Sequence, residues 1–173
     1  MRPPETLSPG FTVREAAAAD GQAIRDLVYG VLAEYGLEPD PAATDADIQD
    51  VAASYGARGG VFEVVEDAGG RCVGTVGLYP LDDGVCELRK MYLARDARGH
   101  GLGKRLLART VDRARALGFR RVELETASAL VEAIGLYRRF GFQAKASGHM
   151  SPRCDQAFYL DLDTTGRPSS TDR

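Results

Sequence analysis

Apolar positions follow a period of two over short stretches of this chain and a period of three to four over others, and the changes of period mark out its elements. Phe11 and Val13 alternate with Thr12 and Arg14, which predicts a strand over 11–14. Ile24, Leu27, Val28, Val31 and Leu32 share one helical face, predicting a helix over 16–35 that Gly36 stops. Pro39 and Pro41 keep the next segment extended, and Thr44 reads as the N-cap of a short acidic helix to Tyr55. Two apolar runs, 61–66 and 72–79, flank Asp67-Ala68-Gly69-Gly70 as a hairpin, and Asp82-Asp83-Gly84 turns the chain into a third strand, 85–93. Leu102, Leu106, Leu107, Val111, Ala114 and Leu117 predict a helix over 102–117, stopped by Gly118. A strand over 121–126 comes next, then a helix from a Ser128 cap to Phe140, then strands over 143–145 and 156–162. The helix over 102–117 connects strands 85–93 and 121–126, so these two are expected to be parallel. The pattern predicts a mixed α/β fold: a mostly antiparallel sheet of about seven strands with helices on both faces.

A chain of 173 residues holds one domain of ordinary size, placed here at 11–163 between flexible tails at 1–10 and 164–173. No apolar run is long enough to span a bilayer, and the Pro-rich start lacks the apolar stretch of a signal peptide. Cys72, Cys86 and Cys154 are odd in number and widely spaced, which argues against disulfides and metal sites and for a reducing cytoplasm. The net charge of −3 conceals an asymmetry: residues 87–121 hold eleven Lys or Arg against three Asp or Glu. A basic middle in an acidic chain suits an anionic cofactor better than a nucleic acid, although Arg105, Arg109, Arg113 and Arg115 also fit the wet side of a helix.

The chemistry concentrates in Arg98-Gly99-His100-Gly101-Leu102-Gly103, between a strand and a helix. Alternate glycines bare the backbone where a helix begins, and the first amides of a helix have no intrahelical acceptor, so the segment is built to take an anion such as a phosphate. The spacing excludes the G-x-x-x-x-G-K-[ST] loop, because Arg98 and Arg105 stand where Gly and Ser or Thr are required. It excludes G-x-G-x-x-G as well, because Lys104 replaces the last glycine. What remains, R-x-x-G-x-G after a strand, resembles the central motif of the GNAT superfamily of acetyl-CoA-dependent N-acetyltransferases. Met91-Tyr92-Leu93 precedes it at that family's distance, and Leu136-Tyr137-Arg138-Arg139-Phe140-Gly141-Phe142 matches the family's L-Y-x-x-x-G-F.

The resemblance implies that the parallel strands splay and that the pantetheine arm of acetyl-CoA lies between them. Met91, Tyr92 and Leu93 would hold the arm by their backbone, the Leu93 N–H would polarise the acetyl carbonyl, and Arg98, Gly99, His100, Gly101, Leu102, Gly103 and Lys104 would hold the pyrophosphate. Tyr137 would protonate the departing thiolate. Glu87, six residues before Leu93, stands at the offset of the general base of the histone-acetylating members, or is a structural partner of Arg89. Even spacing is expected to put Glu87, Arg89, Met91 and Leu93 on one strand face. Leu130 replaces an Asn that many relatives use against the cofactor. His149, Arg153, Cys154 and Asp155 cluster just before the last strand, where relatives line the acceptor site. Arg153 and Asp155 would orient the acceptor there or form an ordinary loop salt bridge. Arg89 and Arg153 could grip the carboxylate of an amino acid through paired N–H donors. Glu34, Glu38, Asp40, Asp45, Asp47 and Asp50 form either an acidic rim that draws cationic amines or a solvated face. The implied reaction is direct acetyl transfer to a primary amine of a small molecule: an amino acid, a polyamine or an aminoglycoside-like compound. A protein lysine or N-terminal acetyltransferase and a non-catalytic acyl-CoA sensor are the alternatives. No nucleic-acid or membrane partner is expected, and the resemblance admits a homodimer.

Overall fold

The computed structural model describes residues 2–146 and 148–162. Eight strands form one sheet: β1 (Glu5–Ser8), β2 (Phe11–Glu15), β3 (Val61–Asp67), β4 (Cys72–Pro80), β5 (Val85–Leu93), β6 (Arg121–Thr126), β7 (Gln143–Ala144) and β8 (Gln156–Asp161). Their order is β1-β2-β3-β4-β5-β6-β8-β7, antiparallel except for the parallel pair β5–β6. Helices α1 (Gly21–Glu34) and α2 (Val51–Ser54) cover one face, and α3 (Leu102–Ala116) and α4 (Val131–Phe140) cover the other.

Alternation along β3 to β6 fills two cores. Val65, Val76, Leu88, Val122 and Leu124 meet Leu106, Leu107 and Val111 of α3. Phe62 and Val64 meet Ile24, Val28 and Leu32 of α1, with Tyr55 closing that core. Each fully buried leucine in these layers contributes roughly 2 kcal/mol relative to exposure. No helix among the described residues is long and apolar enough to cross a membrane.

Three local expectations need correction. The N-terminal segment expected to be a tail carries β1, whose Leu7 is buried and whose Glu5 accepts from Arg109 Nε at 3.1 Å. Only a few residues lie between Pro4 and Pro9, too few for a periodic signal, and the tight turn at Pro9-Gly10 (φ +80° at Gly10) sets the pairing with β2. The expected tail 164–173 lies outside the described residues. Thr44 is not a cap: its N–H and hydroxyl both donate to Asp40 Oδ2, at 3.1 Å each. A short 3-10 turn (Ala46–Ile48) comes next, and Asp50 caps α2 by accepting the Ala53 N–H at 3.0 Å. Ser128 caps nothing either, since its N–H and hydroxyl go to Asp155 at 2.8 and 2.7 Å and α4 starts three residues later.

Candidate active site

The parallel pairing of β5 and β6 runs only from Val85↔Arg121 to Glu87↔Glu123. Beyond it the strands part, and a cleft of about 700 Å³ opens between them. A β-bulge at the end of β5 accompanies the divergence. Thr75 pairs with Tyr92 and Gly77 with Arg89, so Lys90 and Met91 together oppose Val76. Lys90 sits at φ +53°, unusual for a side chain of its size, and Thr75 Oγ1 donates to its carbonyl at 2.7 Å.

The bulge corrects the expectation of one face. Met91 and Leu93 pack on the α3–α4 core with Cys86 and Leu88, whereas Tyr92 packs on the α1 side, where Arg89 lies 3.9 Å over the Tyr79 ring. The extra residue exchanges the two faces, so the alternation that holds from Val85 to Arg89 does not carry through to Met91 and Leu93.

The inward Lys90 Nζ is compensated by oxygens alone: Asp45 Oδ1 at 3.1 Å, Asp47 Oδ1 at 3.2 Å and the Thr44 carbonyl at 2.8 Å. Its contact with Asp47 Oδ1 is an ion pair without hydrogen-bond geometry. Asp47 Oδ2 accepts from the buried Tyr55 hydroxyl. Asp45, fully buried, also takes both ends of the Arg153 fork at 2.6 and 2.7 Å and the Asp40 N–H at 2.8 Å. Burial pushes its carboxyl up, but Arg153, the Asp40 N–H and Lys90 outweigh that and hold it at about 2. This cluster fastens the segment between α1 and α2 to the loop before β8, on one side of the cleft.

The glycine loop stands at another part of the cleft. Gly99 (φ +82°) and Gly101 (φ +70°) adopt the left-handed conformation that side chains avoid. A Cβ at either would meet no atom within 4 Å, so the backbone there is open. Gly99, Gly101, Leu102, Gly103 and Lys104 line the cleft, and Leu102 opens α3, whose first amides have no intrahelical acceptor. Arg98 lines it too, with Nε donating to the Leu93 carbonyl at 3.0 Å and its fork on Glu34 at 2.8 and 3.4 Å. The exposed His100 ring instead turns to Phe11, 6.0 Å between centroids, and does not line the cleft.

Tyr137 and Glu87 both line the cleft. Tyr137 is 5% exposed, its ring lies against Phe142, and burial, with a smaller contribution from Tyr92, pushes its hydroxyl well above the ordinary tyrosine range. Tyr92 is itself pushed up to about 12, chiefly by burial. Glu87 Oε2 accepts two N–H groups of Arg89, at 2.6 and 2.9 Å, which is the structural pairing anticipated as its alternative role. Arg153 lines the cleft with its fork committed to Asp45. Asp155 does not line it and holds Ser128 instead.

Of two further lining residues, Glu125 escapes a reading of the sequence and Cys154 does not. Glu125 accepts the Ser151 N–H at 3.1 Å, and Cys154 is a free, half-buried thiol raised by burial. A signal for Glu125 does exist, because Glu123 and Glu125 alternate with the buried Val122 and Leu124 and so share the face of Glu87.

The acetyltransferase (GNAT) family profile matches residues 26–142. An uncharacterised N-acetyltransferase of Escherichia coli (strain K12), YjgM, is 39% identical over 136 residues, covering 76% of this chain and 81% of that one. An L-methionine sulfoximine/L-methionine sulfone acetyltransferase of Pseudomonas paraeruginosa is 41% identical over 75 residues, covering 43% of this chain and 42% of the other. Among solved structures, a phosphinothricin acetyltransferase from Sinorhizobium meliloti in complex with acetyl-CoA superposes with a TM-score of 0.70 at 24% identity, covering 94% and 95% of the two chains.

Proposed function

The chain belongs to the acetyltransferase (GNAT) family, and from that premise we propose that it acetylates a primary amine of a small molecule by direct transfer. Acetyl-CoA is the donor and supplies, when bound, the thioester whose acetyl group is transferred. The observation that carries the proposal is the cleft itself, which joins the open glycine backbone to Glu87, Glu125 and Tyr137. The left-handed glycines and the bare first amides of α3 fit a pyrophosphate. The β5 edge beyond Glu87, released from β6 by the splay, leaves strand-type backbone groups for the arm of the donor at Met91, Tyr92 and Leu93.

Tyr137 is the proton donor in this reading. A buried phenol that resists ionisation keeps its proton through neutral pH and gives it to a departing thiolate. An alkyl ammonium has a pKa near ~10.4, so the amine must lose a proton before it attacks. Glu87 is the candidate base, working from within its pair with Arg89. The small-molecule reading is supported by the tie between Arg153 and Asp45, which walls the cleft beside Glu87 and Tyr92. As to the size of the acceptor, it is also supported by a relative named for methionine sulfoximine and a structural neighbour named for phosphinothricin. The three cysteines are all free, which supports a cytoplasmic setting.

Calorimetric titration with acetyl-CoA, and with CoA lacking the acetyl group, tests the donor site. Micromolar binding of both is expected, and thiol release with a panel of small amines is expected to exceed that with lysine peptides. Failure to bind either would reduce the glycine loop to an ordinary strand-to-helix turn.

A further inference from the structure

The amine arrives at neutral pH as a cation, so the charges beside Tyr137 and Glu87 select what enters. Most of those charges are already answered. Glu87 is paired with Arg89. Lys90 and Arg153 are paired with Asp45, and Lys90 with Asp47 as well. Glu125 is different. It lines the cleft from β6, its Oε2 accepts one backbone N–H from Ser151, and no lysine or arginine among the described residues stands within ion-pair distance of it. The neighbouring Cys154 thiol is raised first by burial; Glu125 and Glu87 add to the rise, and Ser151 and Arg153 oppose it.

The arginines nearby give no matching grip for an anion. Arg89 places Nε and Nη2 on Glu87 and its planar face on Tyr79. Arg153 places both ends of its fork on Asp45, and Nη1 also reaches the Glu38 carbonyl at 3.3 Å. A carboxylate-bearing acceptor beside Glu125 would find the forks of Arg89 and Arg153 already turned to carboxylates, while Lys104 and Arg139 line the cleft from α3 and α4.

Resting on the acetyl-transfer reading above, we infer that the acceptor is a small di- or polyamine, one amine of which is acetylated while a second ammonium is held by Glu125. The chemistry balances within that assignment. The attacking ammonium first loses one proton through Glu87 to solvent. The neutral amine then forms the C–N bond as the C–S bond breaks, Tyr137 protonates the sulfur and recovers a proton in exchange for the one the nitrogen gives up, and the second ammonium keeps its charge throughout. Glu125 is thus a specificity residue for the far end of the substrate.

Three acceptors of equal chain length test this at saturating acetyl-CoA: 1,4-diaminobutane, 1-aminobutane and 4-aminobutanoate. The wild type is expected to favour the diamine over the monoamine by roughly tenfold in kcat/KM, the worth of one charge-assisted hydrogen bond, and to use the aminocarboxylate least. In Glu125→Gln the diamine's advantage is expected to collapse through KM, with acetyl-CoA affinity and melting temperature as controls. If that variant fails to fold, the wild-type ranking decides by itself. The inference is overturned if 4-aminobutanoate equals or exceeds the diamine, if Glu125→Gln keeps the diamine preference, or if a protein that binds acetyl-CoA acetylates no diamine. Failure to bind acetyl-CoA would instead remove the acetyl-transfer reading on which it rests.

Discussion

Tyr137 shows what a single buried hydroxyl contributes. Its position in Leu136-Tyr137-Arg138-Arg139-Phe140 puts it on the inner face of α4, with Ile134 one turn earlier, and both are buried. Taking the ring out of water penalises the phenolate, so ionisation moves upward from the usual value near ~10. The sign matters for the pH profile. A proton donor with a raised pKa stays competent as pH rises, while the amine substrate becomes more reactive. The rate is therefore expected to climb towards the pKa of the amine with no falling limb from Tyr137 below about pH 10. Tyr137→Phe is expected to lower kcat by roughly 10- to 100-fold, with acetyl-CoA affinity within about twofold of wild type. Unchanged kcat in a chemistry-limited assay, measured as thiol release, would remove Tyr137 from the reaction. This residue is legible in the sequence because its motif is local. Glu125 is equally local in its alternation, but nothing in one strand announces that its neighbour will peel away and leave a carboxylate facing a cleft.

Elements whose pattern lies within them are legible in the sequence, and those that depend on distant partners are not. β5 and β6 fall at Val85–Leu93 and Arg121–Thr126, as expected, because alternation and flanking turns define them locally. The segment between α1 and α2 reads as a capped acidic helix. Its acids instead turn inward, because the bulge delivers Lys90 into the fold 45 residues away from Asp45. That long-range pairing makes Asp45 a sensor of acid. Its carboxyl titrates at about 2 in the folded protein and at the ordinary 3.8 when unfolded, so the unfolded chain binds its proton first as pH falls. The resulting stabilisation, about 2 kcal/mol, is fully present above pH ~4 and is lost as pH falls through ~2. Asp45→Asn is expected to lose that part of the acid dependence and, at pH 7, to be destabilised by about 3 kcal/mol, because Arg153 loses its counter-ion and Lys90 keeps only Asp47. Urea unfolding at pH 7 and at low pH reads both effects. A variant as stable as wild type would show that the cluster is solvated in solution.

Across the whole molecule, folding answers the charge asymmetry at which the composition only hints. The basic segment from Arg89 to Arg121 finds most of its partners in the acidic N-terminal half: Glu34 for Arg95 and Arg98, Glu5 and Glu63 for Arg109, and Glu15 for Arg113. Most of the surplus that suggests an attraction for an anion, and part of the acidic surplus that suggests a rim or a solvated face, thus cancel each other inside one chain. Arg109 and Arg113 are not simply the wet side of α3, because they reach across to the β1–β3 edge of the sheet. No sequence period announces a pairing of residues 46 or 104 positions apart, which is why this layer is invisible in the sequence. It also explains why β1 is ordered, since Arg109 holds Glu5 while Leu7 enters the core. Glu63 is the sensitive point, with its side chain 2% exposed and its Oε2 2.5 Å from Arg109 Nη1. Arg109→Ala is expected to cost about 3 kcal/mol in urea unfolding, most of it the penalty of a buried carboxylate left alone. Adding Glu63→Gln removes the stranded charge, so the double variant is expected to be more stable than Arg109→Ala by about 1 to 2 kcal/mol. Strictly additive losses would mean that the two side chains are independent and that the buried Glu63 carboxylate does not depend on Arg109.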